Sequence, residues 1–239
     1  MSELGLIWEK LLPLFKRNKV KSIFIYLFFL IYFSLPGLQI PILEFHSTRI
    51  SSLMEQRGIE NFLFFYPKQN FVEIEDINPN LLRAIISMED GSFFNHHGVD
   101  WKELKTSLRV NTRRKKSVRG GSTLTMQLSK NLFFTTHKSF LRKAKELLVT
   151  FRMEKELSKK TILEQYVNVI EWGDGVFGIQ KASEIYFDKE PIELTTTESA
   201  KLAAVIPSPL KHQPNVNSRY VQRRSSIIRA RLSDVVLDF

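Results

Sequence analysis

The sequence contains no cysteine, which excludes disulfides, thiolate nucleophiles and cysteine-ligated metals. This absence leaves the compartment open, because oxidising spaces also hold proteins without disulfides. The HExxH and GxxxxGK[ST] signatures are missing as well, so neither a zinc-protease site nor a P-loop is indicated. His96 and His97 are adjacent and point in different directions on any regular element, which argues against a shared metal. The glycine-rich segment 172–178 is not followed by a βαβ pattern, so a dinucleotide site is not indicated either.

Basic residues outnumber acidic ones. The sequence has 35 Lys and Arg against 25 Asp and Glu, a formal charge of +10. Such a surplus favours an anionic partner, which composition alone leaves open among nucleic acid, anionic lipid and a phosphorylated substrate.

An uncharged apolar segment runs from Ser22 to Leu43 and matches the roughly 20 residues that cross a bilayer. Basic residues precede it, so the positive-inside tendency places the N-terminus in the cytoplasm. No small-x-small cleavage site is visible, which favours an uncleaved anchor. We therefore expect a basic cytoplasmic segment (1–21), a transmembrane helix (22–43) and an extracytoplasmic domain (44–239). Pro36 and Pro41 weaken the second half of the segment, and a buried core helix is the alternative.

The remainder is predicted to be mostly helical. An aromatic cluster at Phe62, Phe64, Phe65 and Tyr66 precedes a short extended piece at 71–75. Asn78-Pro79 is typical of a helix start, and the helix that follows buries an apolar face and ends near Glu89. Further helices are expected to start at Asp100 (with Glu103 as a capping box), Ser122, Ser139 and Ser158.

The helical pattern also makes predictions about individual segments. Trp101, Leu104 and Leu108 share one face of the second helix, and Arg109–Arg119 then reads as a mobile basic loop. The long helix 139–157 is expected to bury the stripe Phe140, Ala144, Leu147, Leu148 and Phe151. Glycines near 173–178 indicate a loop. Helices at Ile179–Phe187 and Thr197–Ile206 and an arginine-rich segment, Arg219–Arg231, complete the chain.

Two carboxylates are candidates for chemistry. Glu89 lies at a helix C-terminus, where the helix dipole disfavours a negative charge, so the position suggests a purpose other than stability. Glu146 lies four residues after Arg142, and an ordinary i, i+4 ion pair is its alternative reading. Glycosyl chemistry commonly requires two acids from separate helices. One transfers a proton, and the other stabilises charge.

A basic cluster follows a helix start. Lys130, Lys138, Arg142 and Lys143 lie close in sequence, downstream of hydroxyls that open a helix. Free N–H groups at a helix N-terminus and an arginine fork both suit phosphate oxygens. The cluster therefore indicates a diphosphate site, unless these cations are simply solvated helix faces.

These segments together resemble a known family. EDGSFFNHHG (89–98) resembles the ED-x-x-F-x-x-H-x-G motif of the family 51 peptidoglycan glycosyltransferases. Later motifs of the family follow in order: GGSTLTMQLSKNL, RKAKE, KKTILEQYVN, NVIEWGDGVFGIQKAS and LAAVIPSPLKHQPN. They cover roughly residues 77–215, and HHGVDW and NVIEWGDGVFG are most similar to the monofunctional biosynthetic transglycosylases. We accordingly expect no transpeptidase domain.

The resemblance implies a role for each matching residue. Glu89 would be the general base on the acceptor hydroxyl, and Glu146 would assist the departing diphosphate. Substrate-binding positions are Ser122, Thr123, Gln127, Lys130, Asn131, Lys138, Arg142 and Lys143. Supporting positions are Asp90, Phe93, His96 and Gly98. No cofactor is required, although a divalent cation (Mg or Mn) near Glu146 is compatible with the family.

The resemblance also implies a fold: mostly α, lysozyme-like, with a smaller membrane-facing lobe near the 109–119 loop, after one transmembrane helix. Three positions depart from the common family pattern, namely Met126 in place of Gln, Lys138 in place of Arg and Asp188 in place of Gly. We expect the first two to alter substrate contacts. None of the three removes a proposed catalytic group.

The expected activity is polymerisation of lipid II. The acceptor 4-hydroxyl would attack the donor with inversion and release undecaprenyl diphosphate, at the outer face of a bacterial cytoplasmic (inner) membrane. Expected partners are lipid II, the growing glycan strand, membrane lipid and other cell-wall synthesis or division proteins, but not nucleic acid. Two alternatives are a muramidase-like hydrolase, which leaves the basic cluster without a role, and a non-catalytic membrane-anchored binding module, which leaves Glu89 and Glu146 without one.

Overall fold

The computed structural model of the protein describes residues 19–33, 35–37, 39–45, 50–60, 70–115, 120–137 and 139–239. The chain divides into two compact units, Met1–Gly37 and Leu38–Phe239. The described part is mostly α-helical, as the sequence predicts. The predictions for residues 1–18, for the aromatic cluster at 62–66 and for Lys138 lie outside the described residues.

The predicted transmembrane segment is not one continuous helix. Helix α1 (Lys19–Phe33) has 15 residues, and the described residues 35–37 that follow are not helical. Pro36 explains this interruption, because proline disfavours helical geometry in the residue before it. Helix α2 (Gln39–Ile42) belongs to the second unit, where Ile40 is buried. Within the described ranges, no helix combines the length and the apolar character that crossing a bilayer needs.

The second unit contains the remaining helices. These are α3 (Ser52–Glu60), α4 (Pro79–Glu89), α5 (Trp101–Arg114), α6 (Leu124–Phe133), α7 (Phe140–Glu156), α8 (Lys159–Val169), α9 (Ile179–Phe187), α10 (Thr196–Val205) and α11 (Arg219–Arg229). Short 3₁₀ turns lie at Ile74–Asp76, Phe93–Asn95, Pro191–Glu193 and Leu232–Asp234. Helix α6 packs on α7 and α8, while α10 packs on α4 and α11. The site described below lies where these two groups of helices meet.

Helix α8 lies in the centre of the core. Its residues Ile162, Leu163 and Tyr166 have no exposed surface. Directly after it, β1 (Glu171–Gly173) pairs antiparallel with β2 (Val176–Phe177) around a turn in which Gly175 has φ 67°. The sequence predicts only a loop here, because strands this short carry no periodic signal.

The predicted extended piece at 71–75 does not form a strand, and its second half is the 3₁₀ turn at Ile74–Asp76. The amide side chain of Asn168 takes the place of a partner strand. Asn168 Oδ1 accepts from Val72 N at 2.9 Å, and Asn168 Nδ2 donates to Val72 O at 2.8 Å. One buried amide therefore satisfies both backbone groups of Val72.

Most predicted helix starts are confirmed. Asn78, Asp100, Ser139 and Ser158 each accept a hydrogen bond from a first-turn N–H of the helix that follows. The start of α6 differs by one residue. Its N-cap is Thr123 rather than Ser122, because the Thr123 hydroxyl accepts from Met126 N.

Two predictions about α5 and α7 were wrong. The first half of the predicted loop 109–119 is helical, and α5 continues to Arg114 before Lys115 turns to φ 51°. On α7, Phe140 is 93% exposed and Leu148 49% exposed, whereas the buried residues are Glu146, Val149, Thr150 and Met153. The helix therefore buries the face that carries Glu146 and leaves apolar side chains on the surface. On α5, Trp101 and Leu108 are exposed as well.

One departure from the common family pattern, Asp188 in place of Gly, has a physical explanation. Asp188 ends α9 with φ 53°, a left-handed conformation that favours glycine. Asp tolerates this conformation better than most residues do, at a cost of about 1 kcal/mol. The departure therefore concerns the backbone at a helix end.

Candidate active site

Asp90 fixes the end of α4 against the start of α6. Asp90 is 7% exposed, and its side chain accepts a hydrogen bond from Leu124 N at 2.9 Å. A helix N-terminus is a favourable place for a carboxylate, because its N–H groups are free and its dipole end is positive. This contact places the neighbouring Glu89 beside the first turns of α6.

His96 forms hydrogen bonds with the same carboxylate, that of Asp90. Its Nε2 lies 2.9 and 3.0 Å from the two oxygens of Asp90, while Gly98 N donates to its Nδ1 at 3.2 Å. Because Nδ1 accepts, the ring proton resides on Nε2 and is donated to Asp90. Gly98 has φ 93°, and an added Cβ would lie 3.0 Å from Thr150 Cγ2, so this turn requires glycine.

Phe93 is fully buried beneath this turn. The ammonium of Lys159 lies 4.5 Å from the centre of its ring and also donates to His96 O at 2.8 Å. The residues expected to support the site thus form one packed unit around Asp90.

Glu89 is half-buried and accepts a hydrogen bond from Gln127 Nε2 at 2.9 Å. Burial raises the pKa of the Glu89 carboxyl above its ordinary range. The Gln127 hydrogen bond and the charges of Arg224 and Lys130 act in the opposite direction, and the charge of Asp90 adds to the increase. The carboxylate is therefore more basic than an ordinary surface glutamate.

Glu89 faces a cavity of about 870 Å³. Ser122, Thr123, Gln127, Gly120, Gly121, Arg114, Arg224 and Arg231 are among the residues that line it. The cavity thus combines a basic carboxylate with hydroxyl, amide and guanidinium donors, which suits a polar, anionic ligand.

Glu146 is buried, and its carboxylate forms ion pairs with two cationic side chains. It is 2% exposed, accepts from Arg142 Nη1 at 2.7 Å and pairs with the ammonium of Lys143. Its backbone carbonyl accepts from the hydroxyls of Ser129 at 3.2 Å and Thr150 at 2.7 Å. The i, i+4 ion pair with Arg142, the alternative reading of its sequence, is thus present, but the carboxylate is buried and pairs with Lys143 as well.

Lys130 connects the two acids electrostatically. Burial lowers the pKa of its ammonium, and the charges of Arg142 and Lys143 lower it further. The charges of Glu146 and Glu89 raise it. Lys130 therefore lies within electrostatic reach of both predicted acids, so the structure brings Glu89, Lys130, Arg142 and Lys143 into one region.

The other predicted substrate-binding residues vary in accessibility. Ser122 lines the cavity, and Lys143 Nζ donates to its hydroxyl at 3.5 Å. Thr123 also lines the cavity, but its hydroxyl donates to Gly98 O at 2.6 Å and caps α6. Asn131 is buried, and so is Met126 (2% exposed), which is not among the residues that line the cavity.

The surroundings of Glu146 do not fit a divalent cation. Such ions take several oxygen ligands, whereas both carboxylate oxygens here are engaged by cationic side chains. In the part of the chain that the structure describes, no group of three or more His, Asp or Glu side chains is arranged to hold a metal.

Sequence reasoning missed two residues of this site. Arg224, on α11, lines the cavity and influences Glu89, while Tyr166, on α8, hydrogen-bonds Gln127. Arg224 lies in the arginine-rich segment, and Tyr166 lies in KKTILEQYVN, so both were inside segments already singled out.

A family model described as Transglycosylase matches residues 56–233, about three quarters of the chain. The chain belongs to the transglycosylase family. The resemblance found in the motifs is thereby confirmed, and the matched range contains every residue of the site from Glu89 to Arg224.

Curated relatives of this transglycosylase are named "Biosynthetic peptidoglycan transglycosylase". One from Dechloromonas aromatica is 41% identical over 165 residues, 69% of this chain and 71% of the relative. One from Chromobacterium violaceum is 41% identical over 170 residues, 71% of this chain and 75% of the relative. A third, from Herminiimonas arsenicoxydans, is 38% identical over 170 residues, 71% of this chain and 74% of the relative.

Proposed function

We propose that this transglycosylase is a monofunctional peptidoglycan glycosyltransferase that polymerises lipid II into glycan strands. The names of its relatives support the substrate class. The observation that carries the proposal is the position of Glu89, a basic carboxylate on a large cavity within electrostatic reach of Arg224 and Lys130. Lys130 in turn lies within electrostatic reach of Arg142, Lys143 and Glu146.

Glu89 acts as the general base in this proposal. Its carboxylate takes the proton of the acceptor 4-hydroxyl as that oxygen attacks the anomeric carbon of the donor sugar. The bond between this carbon and the diphosphate oxygen breaks with both electrons remaining on the diphosphate. The configuration at carbon inverts, and Glu89 later returns the proton to solvent. The raised pKa of Glu89 favours this role, because a stronger base takes the proton more readily.

Lys130, Arg142 and Lys143 stabilise the negative charge that develops on the leaving diphosphate. Glu146 holds the last two side chains in place through its two oxygens. Arg142 is 18% and Lys143 39% exposed, so both retain surface for a ligand. Glu146 is thus proposed to orient cations, and no step requires a metal.

The catalytic domain is proposed to have a lysozyme-like fold and to work at the outer surface of a bacterial cytoplasmic membrane. Exposed apolar residues support a membrane-facing lobe: Trp101 (65% exposed) at the start of α5 and Phe140 (93%) and Leu141 (56%) at the start of α7. The formal charge of +10 favours an anionic lipid surface. Both features hold the enzyme where a lipid-linked substrate resides.

The test is glycan polymerisation from purified lipid II by the wild type, Glu89→Gln and a control, Glu184→Gln, on the exposed surface of α9. Loss of a general base is expected to reduce the rate at least about a hundredfold. The control is expected to keep the wild-type rate. Equal polymer from wild type and Glu89→Gln would refute the mechanism. Shortened preformed glycan without polymer would indicate a hydrolase instead.

A further inference from the structure

We infer that Tyr166 is a positioning residue whose buried hydroxyl fixes the side-chain amide of Gln127, so that the amide nitrogen is aimed at the carboxylate of Glu89. The inference rests on the proposed role of Glu89 as the base. It assigns a function to a core side chain that lines no part of the cavity.

Three helices contribute to a line of hydrogen bonds that joins Tyr166, Gln127 and Glu89. Tyr166 of α8 has no exposed surface, and its hydroxyl donates to Gln127 Oε1 at 3.0 Å. Gln127 of α6 donates from Nε2 to Glu89 Oε2, at the end of α4, at 2.9 Å. The line therefore runs from the centre of the core to the proposed base.

The direction of each hydrogen bond follows from the chemistry of its ends. Burial raises the pKa of the Tyr166 phenol well above its ordinary value, so the hydroxyl keeps its proton and remains a donor. An ionised carboxylate only accepts. An amide between a donor and an acceptor is satisfied in one orientation, with its oxygen toward Tyr166 and its nitrogen toward Glu89.

The opposite orientation of the amide is disfavoured on both sides. It would turn an oxygen toward an ionised carboxylate and leave the phenol proton of Tyr166 without its acceptor. Among the described residues, Gln127 Oε1 is the hydrogen-bond acceptor of that proton. Because leaving a buried donor unpaired is costly, Tyr166 selects the orientation that favours ionised Glu89.

Other groups also face Glu89, but none of them depends on Tyr166. Arg224 of α11 and Lys130 of α6 favour the ionised form, and the adjacent Asp90 disfavours it. Their charges remain when the hydroxyl of Tyr166 is removed. The contribution of the hydroxyl is therefore separable by substitution.

The experiment is the pH dependence of lipid II polymerisation by Tyr166→Phe, which keeps the ring and removes the hydroxyl. The acidic limb of kcat is expected to move to higher pH. On that limb the rate falls about fivefold, the factor that corresponds to one hydrogen bond. KM for lipid II is expected to change little. A profile that coincides with the wild type, or a uniform loss at every pH, overturns the inference.

Two further variants isolate the cause. Tyr186→Phe removes a half-buried phenol on α9, outside the cavity lining, and is expected to leave the profile in place. Gln127→Ala is expected to move the acidic limb in the same direction by itself, which tests the line even if Tyr166→Phe fails to fold. Adding Tyr166→Phe to Gln127→Ala should then cause no further displacement. An additional displacement in the double variant contradicts the proposed route through Gln127.

The outcomes also separate this inference from the proposed function. If Glu89→Gln keeps its activity, the assignment of the base itself is wrong. If Glu89→Gln is inactive while Tyr166→Phe keeps the wild-type profile, the base stands and the positioning role fails.

Discussion

Glu89 occupies a position that does not favour its charge. It lies at the C-terminal end of α4, is half-buried and has Asp90 as its neighbour. Each of these features disfavours a carboxylate, and burial is the largest contributor to its raised pKa. A side chain held in this way lowers the stability of the fold at neutral pH, which is typical of residues retained for chemistry.

Replacing Glu89 with Gln is therefore expected to stabilise the protein at neutral pH. A carboxyl whose pKa is raised by folding binds more protons in the folded state, so stability falls as pH rises from its unfolded to its folded pKa. The midpoint of thermal unfolding, followed by circular dichroism, should be higher for Glu89→Gln above that window. The difference should shrink as pH falls toward the ordinary range of a carboxyl.

Glu184→Gln, on the exposed face of α9, is the matched control, and its midpoint should follow that of the wild type. If Glu89→Gln is instead less stable than the wild type at neutral pH, the hydrogen bonds and charges around Glu89 more than offset the free-energy cost of burying its carboxylate.

How far sequence predicts the site depends on how local each contact is. The motifs predicted Glu89, Gln127, Lys130 and the RKAKE cluster, and the structure places all of these around one region. Tyr166 reaches Gln127 only because α8 packs beside α6, and Arg224 influences Glu89 only because α11 packs beside α4. Such contacts depend on tertiary packing, which residue spacing along the chain does not encode.

At the scale of helices, starts were more predictable than buried faces. A start needs one polar side chain at the right position, and the N-caps of α4, α5, α7 and α8 follow this rule. The buried face of α7 was not predictable from apolar spacing. Hydroxyls and paired cations satisfy its buried polar groups, so Glu146 and Thr150 face inward while Phe140 remains outside.

The N-cap of α4 gives a prediction at this scale. Asn78 Oδ1 accepts from Asn80 N at 2.9 Å, and Nδ2 donates to Ile192 O at 3.1 Å and Leu194 O at 2.8 Å. Asn78→Ala loses the cap together with this connection to the segment before α10. The free energy of unfolding is expected to fall by about 2 kcal/mol, measured by urea denaturation.

Asn80→Ala is the control on the same helix, because its amide makes an exposed hydrogen bond to Thr196 at 3.2 Å and accepts only a long one, from Arg83 Nη1 at 3.4 Å. It should cost clearly less than Asn78→Ala. Equal losses from the two variants would mean that the cap and its long-range bonds contribute no more than a surface contact.

At the scale of the whole molecule, the helical class and the order of the helices were predictable, but the continuous apolar segment 22–43 was not one element. Hydropathy measures how apolar a segment is and carries no information about where its backbone bends. Pro36 ends the helical geometry, and Ile40 then contributes to the core of the second unit. The exposed apolar residues on α5 and α7 were likewise assigned to a buried stripe or a shared face, because periodicity does not distinguish an apolar face in the core from one on the surface.

The proposed membrane-facing lobe predicts a direct contact between Trp101 and lipid. Trp101 is 65% exposed at the start of α5, whereas Trp172 has no exposed surface. Fluorescence of the full chain should be quenched by anionic vesicles that contain brominated acyl chains, and Trp101→Phe should remove a large part of that quenching. Raising the salt from 0.1 to 1 M shortens the Debye length from about 10 to 3 Å, so it should weaken the vesicle binding that a charge of +10 promotes. Both proteins carry Trp8→Phe in addition, so that Trp172 is the only tryptophan besides Trp101 in the sequence that is compared. If the two proteins lose the same fraction of their fluorescence, the start of α5 does not contact the membrane and the lobe must lie elsewhere on the surface.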